Sequence, residues 1–317
     1  MPLNIARVHH NDKTQWAKQA GNALALLDID APTTGDLICN FDVNQLGDMQ
    51  GEHVDWCDVT LLSPITRNQQ FVCQGANYRQ HMLESGVDPD DKTFNMIFTK
   101  AASCICAADS AVVRPSNVHL LDYEVELGLV LKSEINHSVE LSEHDLPNTI
   151  AGLVIVNDYS ARDIQLPQMQ FYKGKSFRTF GPVGPWLCLL ERDDYRHLLN
   201  LDLELRVDGE IRQKDNTQNL VYQAAETLTE LSRVHDFAPG DLIATGTPAG
   251  CALRAPAPRI QRLMGLIPEK TKWRLFLKAQ QKRTQYLQPG QTVTATIKSP
   301  CGRIDLGMQS NLVVAED

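Results

Sequence analysis

The motif Asp122-Tyr123-Glu124-Val125-Glu126 sets two glutamates two residues apart. On a β-strand both would point to one face, because side-chain direction alternates with period two. Two carboxylates on one face repel unless a cation lies between them. An all-oxygen pair of this kind suits a hard divalent ion such as Mg²⁺. A third carboxylate, Asp158, ends the apolar run Val154-Ile155-Val156-Asn157. Sites are commonly built at strand ends and the loops after them, so Asp158 is a candidate third ligand. Each piece also has a plainer reading. An E-x-E pair is often a solvated strand edge, and an Asp ahead of Ser160-Ala161-Arg162-Asp163 can cap a turn or helix.

A base is needed beside such an ion. In Gly75-Ala76-Asn77-Tyr78-Arg79-Gln80-His81-Met82-Leu83-Glu84, His81 and Glu84 stand at i and i+3. On a helix their side chains can meet. A glutamate accepting from one imidazole nitrogen fixes the tautomer and frees the other to take a proton from water. An ordinary surface pair has the same spacing. The run Lys173-Gly174-Lys175-Ser176-Phe177, followed by Gly181-Pro182-Val183-Gly184-Pro185, reads as a shaped loop. It is not a phosphate-binding loop, because G-x-x-x-x-G-K-[ST] is absent. Thr245-Gly246-Thr247-Pro248-Ala249-Gly250 offers hydroxyls and backbone amides among small residues.

The elements that must position these residues are mostly strands. Short apolar runs at Phe71–Cys73, Asn95–Phe98, Val125–Leu131, Leu153–Val156, Leu187–Leu189, Leu201–Val207, Leu242–Thr245 and Thr292–Ile297 have strand length. Leu201–Val207 alternates strictly, and Asp208-Gly209 after it signals a hairpin into Glu210-Ile211-Arg212. Helices are expected at Asn77–Ser85, closed by Gly86, and at Leu220–Val234. Many strands and few helices, without regular βαβ alternation, imply an α+β fold. Residues 1–67 differ in pattern and are expected to form a small N-terminal domain. Residues 68–317 would form the catalytic domain. Within it, 252–287 carries nine Lys or Arg against Glu269 alone, a basic stretch in a chain of formal net charge −9. Trp273, Phe276 and Leu277 mark one face of a possible helix there, which is a solvated insertion, an active-site cover or a subunit contact.

The acidic balance, 39 Asp+Glu against 30 Lys+Arg, argues against a general nucleic-acid binder. No apolar run approaches the ~20 residues that span a bilayer, and no secretory h-region is visible, so a cytoplasmic protein is expected. The eight cysteines are scattered and lack metal-site spacing, which reads as reduced, mostly buried thiols.

In order, G-x-N-Y-x-x-H-x-x-E, D-Y-E-x-E-L-G, N-D-x-S-A-R-D-x-Q, K-S-F and T-G-T-P-x-G resemble the fumarylacetoacetate hydrolase family. The resemblance covers roughly 71–250 and resumes from Gln288 to Val313. It implies a mixed β-sandwich or roll with few peripheral helices, usually a homodimer. It implies Mg²⁺ (or Mn²⁺) on Glu124, Glu126 and Asp158, a His81–Glu84 dyad on a mobile lid, and Lys175 near the metal. Arg162, Gln165, Thr247 and Tyr78 match substrate-contact positions, Thr247 the one that holds a substrate carboxylate. Lys100 matches a family lysine near the lid. The stretch 252–287 is longer than the family pattern leads one to expect and would reshape the pocket. The implied activity is metal-dependent hydrolysis of a C–C bond in a β-diketo or acylpyruvate-type 2-oxo acid through a metal-bound enolate, of the kind found in aromatic catabolism. An oxaloacetate-type decarboxylase, or a hydratase or isomerase of an unsaturated 2-oxo acid, would need the same metal. A non-catalytic binding protein that kept the fold is the rival of another class.

Overall fold

The computed structural model describes residues 2–91, 94–256 and 267–316. Two sheets pack around the main core. The larger has eleven strands. Its path runs from His53–Val54 through Ala23–Leu27, Lys13–Ala20, Leu3–His10, Leu187–Leu189 and Ile150–Asn157 to Val125–Leu131. It continues through Leu242–Ala244 and Phe71–Gly75 to Met96–Thr99, and Thr60–Leu62 pairs with Leu3–His10 off this path. The smaller sheet runs Glu210–Asn216, Asp202–Val207, Thr292–Lys298, Asp305–Ala315, Val112–Arg114. The α+β class and the mixed sheets with few helices expected from the sequence are what the chain forms.

The alternation in sequence explains the packing. Leu203, Leu205 and Val207 of one strand and Val293, Ala295 and Ile297 of its neighbour are buried. They share one apolar cluster with Val125, Leu127, Leu129 and Leu131 of the large sheet. The other face of that strand is buried too: Val130 packs with Val154, Val156, Leu242 and Ala244 in a second cluster. A strand covered on both faces reads as a continuous apolar run, and an acidic residue on it can be there only with partners. Glu126 is on it.

The first 67 residues do not sit apart as the sequence pattern suggested. Leu3, Asn4 and Ile5 pair antiparallel with Leu189, Cys188 and Leu187, so the N-terminal strands extend the large sheet. Trp16, Leu27, Leu37 and Leu46 join the same cluster as Val130 and Val154.

Helix lengths also depart from expectation. The first site helix is Arg79–Ser85, stopped by Gly86 in the left-handed region at φ 80°. The helix expected over 220–234 is only Ala224–Leu231. Asn77 causes the shortening. Its side chain accepts from Tyr222 N–H at 2.7 Å and its carbonyl accepts from Val221 N–H at 2.8 Å, which holds that stretch extended. Asp208 and Gly209, both at positive φ, make the expected hairpin turn. All eight cysteines are free, four of them buried. Among the described residues no helix is long and apolar enough to cross a membrane.

Gly128 lies two residues beyond Glu126 on the same strand. A Cβ there would sit 2.5 Å from Val154 Cγ2 and 2.9 Å from Val156 Cγ2. Gly128→Ala is expected to destabilise the protein by about 1–3 kcal/mol through overpacking. Chemical denaturation checks this, and an unchanged midpoint would show that the valines yield.

Candidate metal centre and active site

The centre forms where a ladder ends. Val125 pairs with Asn157, and the next residues out are Glu124 and Asp158. Asp158 N–H donates to the Glu124 carbonyl at 2.8 Å, and Glu124 N–H donates to Asn157 Oδ1 at 3.0 Å. These bonds aim both carboxylates at the space occupied by Glu126. One oxygen from each of Glu124, Glu126 and Asp158 lies within 4.8 Å of the others, and all three residues are buried.

Three cations surround the group. Lys175 Nζ donates to Glu124 at 2.6 Å and to Asp158 at 2.5 Å. Lys100 Nζ donates to Asp158 and, at 2.8 Å, to the Phe180 carbonyl. Arg162 donates to Glu124, to Asp122 at 2.8 Å and to Gln165 Oε1 at 2.9 Å. Gly174 makes the Lys175 position possible. A Cβ on it would lie 2.6 Å from Gln165 Cβ and 2.8 Å from the Gln165 backbone, so only glycine lets Phe171–Lys175 approach Arg162–Gln165.

The charges are uneven. Burial works against the ionised form of Glu124, but Arg162 and Lys175 overcome it and hold that carboxyl far below its usual range. Burial likewise opposes a charged Lys175, and Asp158 and Glu124 outweigh it, so Lys175 stays cationic. Glu126 is different. Burial and the charges of Asp158 and Glu124 push its pKa well up. Its partner is the Gly246 N–H at 2.9 Å, and among the described residues it has no ion pair. A divalent ion would give Glu126 the cation it lacks, and three carboxylates are an oxygen donor set for a hard ion. The residues present fit a bound metal.

A cavity of about 550 Å³ opens onto the centre. Of the residues singled out by sequence, His81, Glu84, Glu124, Glu126, Arg162, Gln165, Lys175 and Thr247 line it. Asp158 lies behind them, fully buried under the two lysines. Tyr78 is placed elsewhere, fully buried in the main apolar cluster, its hydroxyl without a partner among the described residues. Thr247 reaches the cavity, but its hydroxyl donates to the Val125 carbonyl at 2.9 Å and accepts from Gln213 at 2.8 Å. Its one proton is therefore used on the backbone. His81 and Glu84 share the helix as expected, yet no hydrogen bond joins them among the described residues. Glu84 instead accepts from Gly250 N–H at 3.4 Å and lies 3.7 Å from Arg254. His81 Nδ1 is buried and, among the described residues, unpartnered, and burial lowers the pKa of the ring from 6.5.

Some residues of the site were not legible in their roles. Lys100, matched to a lid lysine, is instead a partner of Asp158. Asp122, visible only as the first letter of its motif, accepts from Arg162 and from the backbone N–H groups of Tyr123, Ala252 and Leu253. The basic stretch supplies Lys272, Trp273 and Phe276 to the cavity from the helix Glu269–Gln280, so it lines one wall of the site. Arg259 and Arg262 of that stretch lie outside the described residues.

Asp158→Ala and Glu126→Gln should each abolish measurable Mg²⁺ or Mn²⁺ binding in calorimetric titration. Affinity retained in either variant would remove that residue from the ligand set.

The family model described as fumarylacetoacetate (FAA) hydrolase C-terminal matches residues 70–314. A mitochondrial oxaloacetate tautomerase of Homo sapiens is 36% identical over 195 residues, 61% of this chain and 60% of that protein. The chain thus spans less than two thirds of that relative's length. An oxaloacetate tautomerase of Bacillus subtilis is 33% identical over 207 residues, 65% of this chain and 67% of that protein. A solved fumarylacetoacetate hydrolase from psychrophilic Exiguobacterium antarcticum superposes with a TM-score of 0.76 at 25% identity, over 99% of this chain and 100% of that one. A probable 2-hydroxyhepta-2,4-diene-1,7-dioate isomerase from Mycobacterium abscessus gives 0.72 at 26% identity over all of both chains. The matched span contains every strand and loop that carries the carboxylate centre, and the chain belongs to the fumarylacetoacetate hydrolase family.

Proposed function

We propose that this protein is a divalent-metal-dependent enzyme that interconverts the keto and enol forms of a 2-oxo acid. One observation carries the reading: His81 lines the same cavity as the carboxylate centre and, among the described residues, lacks the Glu84 hydrogen bond that would orient it for water activation. The oxaloacetate tautomerases among the relatives support it.

An ion held by Glu124, Glu126 and Asp158, Mg²⁺ or Mn²⁺, would supply Lewis acidity toward the ketone and carboxylate oxygens of the acid. The chain's own residues do the rest. His81 is neutral at neutral pH because burial lowers its pKa, so it can take the proton from the carbon beside the ketone and return it to carbon or oxygen. Lys175 is held cationic by Asp158 and Glu124 and is a poor base; it steadies negative charge gathering on the ketone oxygen. Arg162 has its donors engaged with Asp122, Glu124 and Gln165, so it orients Glu124. Trp273 and Phe276 cover the cavity and limit water there.

A second reading, hydrolysis of an acylpyruvate, is favoured by the cavity volume of about 550 Å³, which has room for an acyl group beyond the oxo acid. It would require Glu84 to leave Gly250 and Arg254 and turn to His81.

The deciding experiment follows the enol of oxaloacetate by ultraviolet absorbance, and acetylpyruvate by NMR, each with Mg²⁺, with Mn²⁺ and with EDTA. Metal-dependent enol–keto exchange, with acetylpyruvate left intact, is expected. Pyruvate plus acetate would establish the hydrolase, and pyruvate plus CO₂ from oxaloacetate a decarboxylase. His81→Ala should slow turnover by ~10²–10⁴-fold, the usual loss for a general base, with metal affinity unchanged. The sign of the pH dependence follows from burial. The base works when neutral, so kcat/KM should stay level through neutrality and fall only below pH 6.5. An acid limb centred above that value, or one that persists in His81→Ala, would assign the proton transfer to another group.

A further inference from the structure

The cavity is larger than the proposed chemistry needs. At about 550 Å³ it falls in the range of sites that enclose a drug-sized ligand, ~300–1,000 Å³. The surplus is apolar. Phe98 stands beside the reacting end, with Lys175 Nζ 5.0 Å from its ring centroid, and Phe171 packs on Phe98 at 5.2 Å between centroids. Leu166 and Met96 add to this lining. The insertion then contributes Trp273 and Phe276, an edge-to-face pair 5.7 Å apart. Lys272 is a cation in the same lining, but it sits 5.1 Å from the Trp273 ring centroid.

The insertion helix has local reasons to hold this place. Its Gln280 donates to the Arg254 carbonyl at 2.9 Å, and Arg283 just beyond donates to the Ala252 carbonyl at 2.8 Å. Ala252 and Leu253 are themselves bonded to Asp122. The two ends of the insertion are thus tied to each other and to the charged centre. Trp273 and Phe276, three residues apart, face one side of the helix.

We infer that the substrate carries a bulky apolar tail on its 2-oxo acid head, and that Trp273 and Phe276, with Phe98 and Phe171, select for that tail. The inference rests on the oxo-acid reading of the carboxylate centre. A four-carbon acid such as oxaloacetate would leave the aromatic lining unfilled, whereas each methylene placed against it gains a few-fold in affinity.

Ligands that carry the head but lack a distal carbonyl to cleave test the tail and the head separately. The Mg²⁺-loaded protein is titrated calorimetrically with oxalate, pyruvate, 2-oxooctanoate, 4-phenyl-2-oxobutanoate and 2-oxoadipate. Oxalate is expected to bind only with Mg²⁺, reporting the head site alone. The octanoate and phenylbutanoate should bind at least ~10-fold tighter than pyruvate. Trp273→Ala should remove most of that gain and leave oxalate affinity unchanged. Phe276→Leu, which keeps the buried position filled, should reduce the gain for the phenyl ligand. Equal affinities for pyruvate and 2-oxooctanoate while oxalate still binds would overturn the tail and spare the head. So would tightest binding of 2-oxoadipate with the gain lost in Lys272→Ala, which would assign a carboxylate-ended tail. Failure of oxalate itself to bind would sink the oxo-acid reading and this inference with it.

Discussion

Four buried carboxylates, Asp122, Glu124, Glu126 and Asp158, meet three buried cations, Lys100, Arg162 and Lys175. Charge in such a place is costly unless each group is paired and hydrogen-bonded. Three carboxylates are. Glu126 has one backbone N–H. Its backbone is fixed in a strand, opposite Val156 and two residues from the pairing with Leu242–Ala244, with apolar clusters above and below, so its carboxylate can face only the centre and the cavity. The uncompensated charge is therefore built into the sheet. Protonation relieves it at the expense of affinity for a cation. A bound cation relieves it while stabilising the fold, since a ligand held only by the folded state stabilises that state by mass action.

The same electrostatics reach outward through Asp122. Its carboxylate accepts from Arg162 on one side and from the backbone of Ala252 and Leu253 on the other. Arg162 in turn holds Glu124. The first residues of the insertion and one of the proposed ligands are three hydrogen bonds apart. A basic, amphipathic stretch with the composition of a solvated excursion is thereby fastened as a cover.

Which parts of this were legible in the sequence follows from the range of the interactions. Strict alternation in Leu201–Val207 and the apolar run Val125–Leu131 report burial directly, so those strands lie where the pattern puts them. Glu124 and Glu126 were readable as chemistry from their two-residue spacing, and Asp158 from its place at the end of an apolar run. Other features were set by single long-range contacts that leave no local trace. Asn77 shortens a helix by bonding to residues 221 and 222. Leu3–Ile5 dock on Leu187–Leu189, which merges the expected N-terminal domain into the large sheet. Lys100 differs from any other lysine only by lying where its Nζ meets Asp158. Tyr78 sits in the right motif beside the base, yet its neighbour Asn77 and the core draw it away from the cavity.

On the proposed reading, Glu84 is the residue whose placement separates proton shuttling from attack by water. Its bond to Gly250 N–H is long at 3.4 Å, and its partner Arg254 is 3.7 Å away and mostly exposed. Exposed pairs of this kind are worth ~0–1 kcal/mol, so little holds Glu84 where it is. His81 lies one helical turn away on the same face. Turned to His81, Glu84 would raise the basicity of the imidazole and fix its tautomer, as water activation requires. Kept on Gly250 and Arg254, it leaves a milder base suited to moving a proton between carbon and oxygen. Arg254 belongs to the insertion, and its carbonyl is bonded to Gln280 of the covering helix. The element that lines the apolar cavity therefore also touches, weakly, the carboxylate that would tune the proposed base. On that reading, substrate selection and the course of the reaction would meet in one segment of chain.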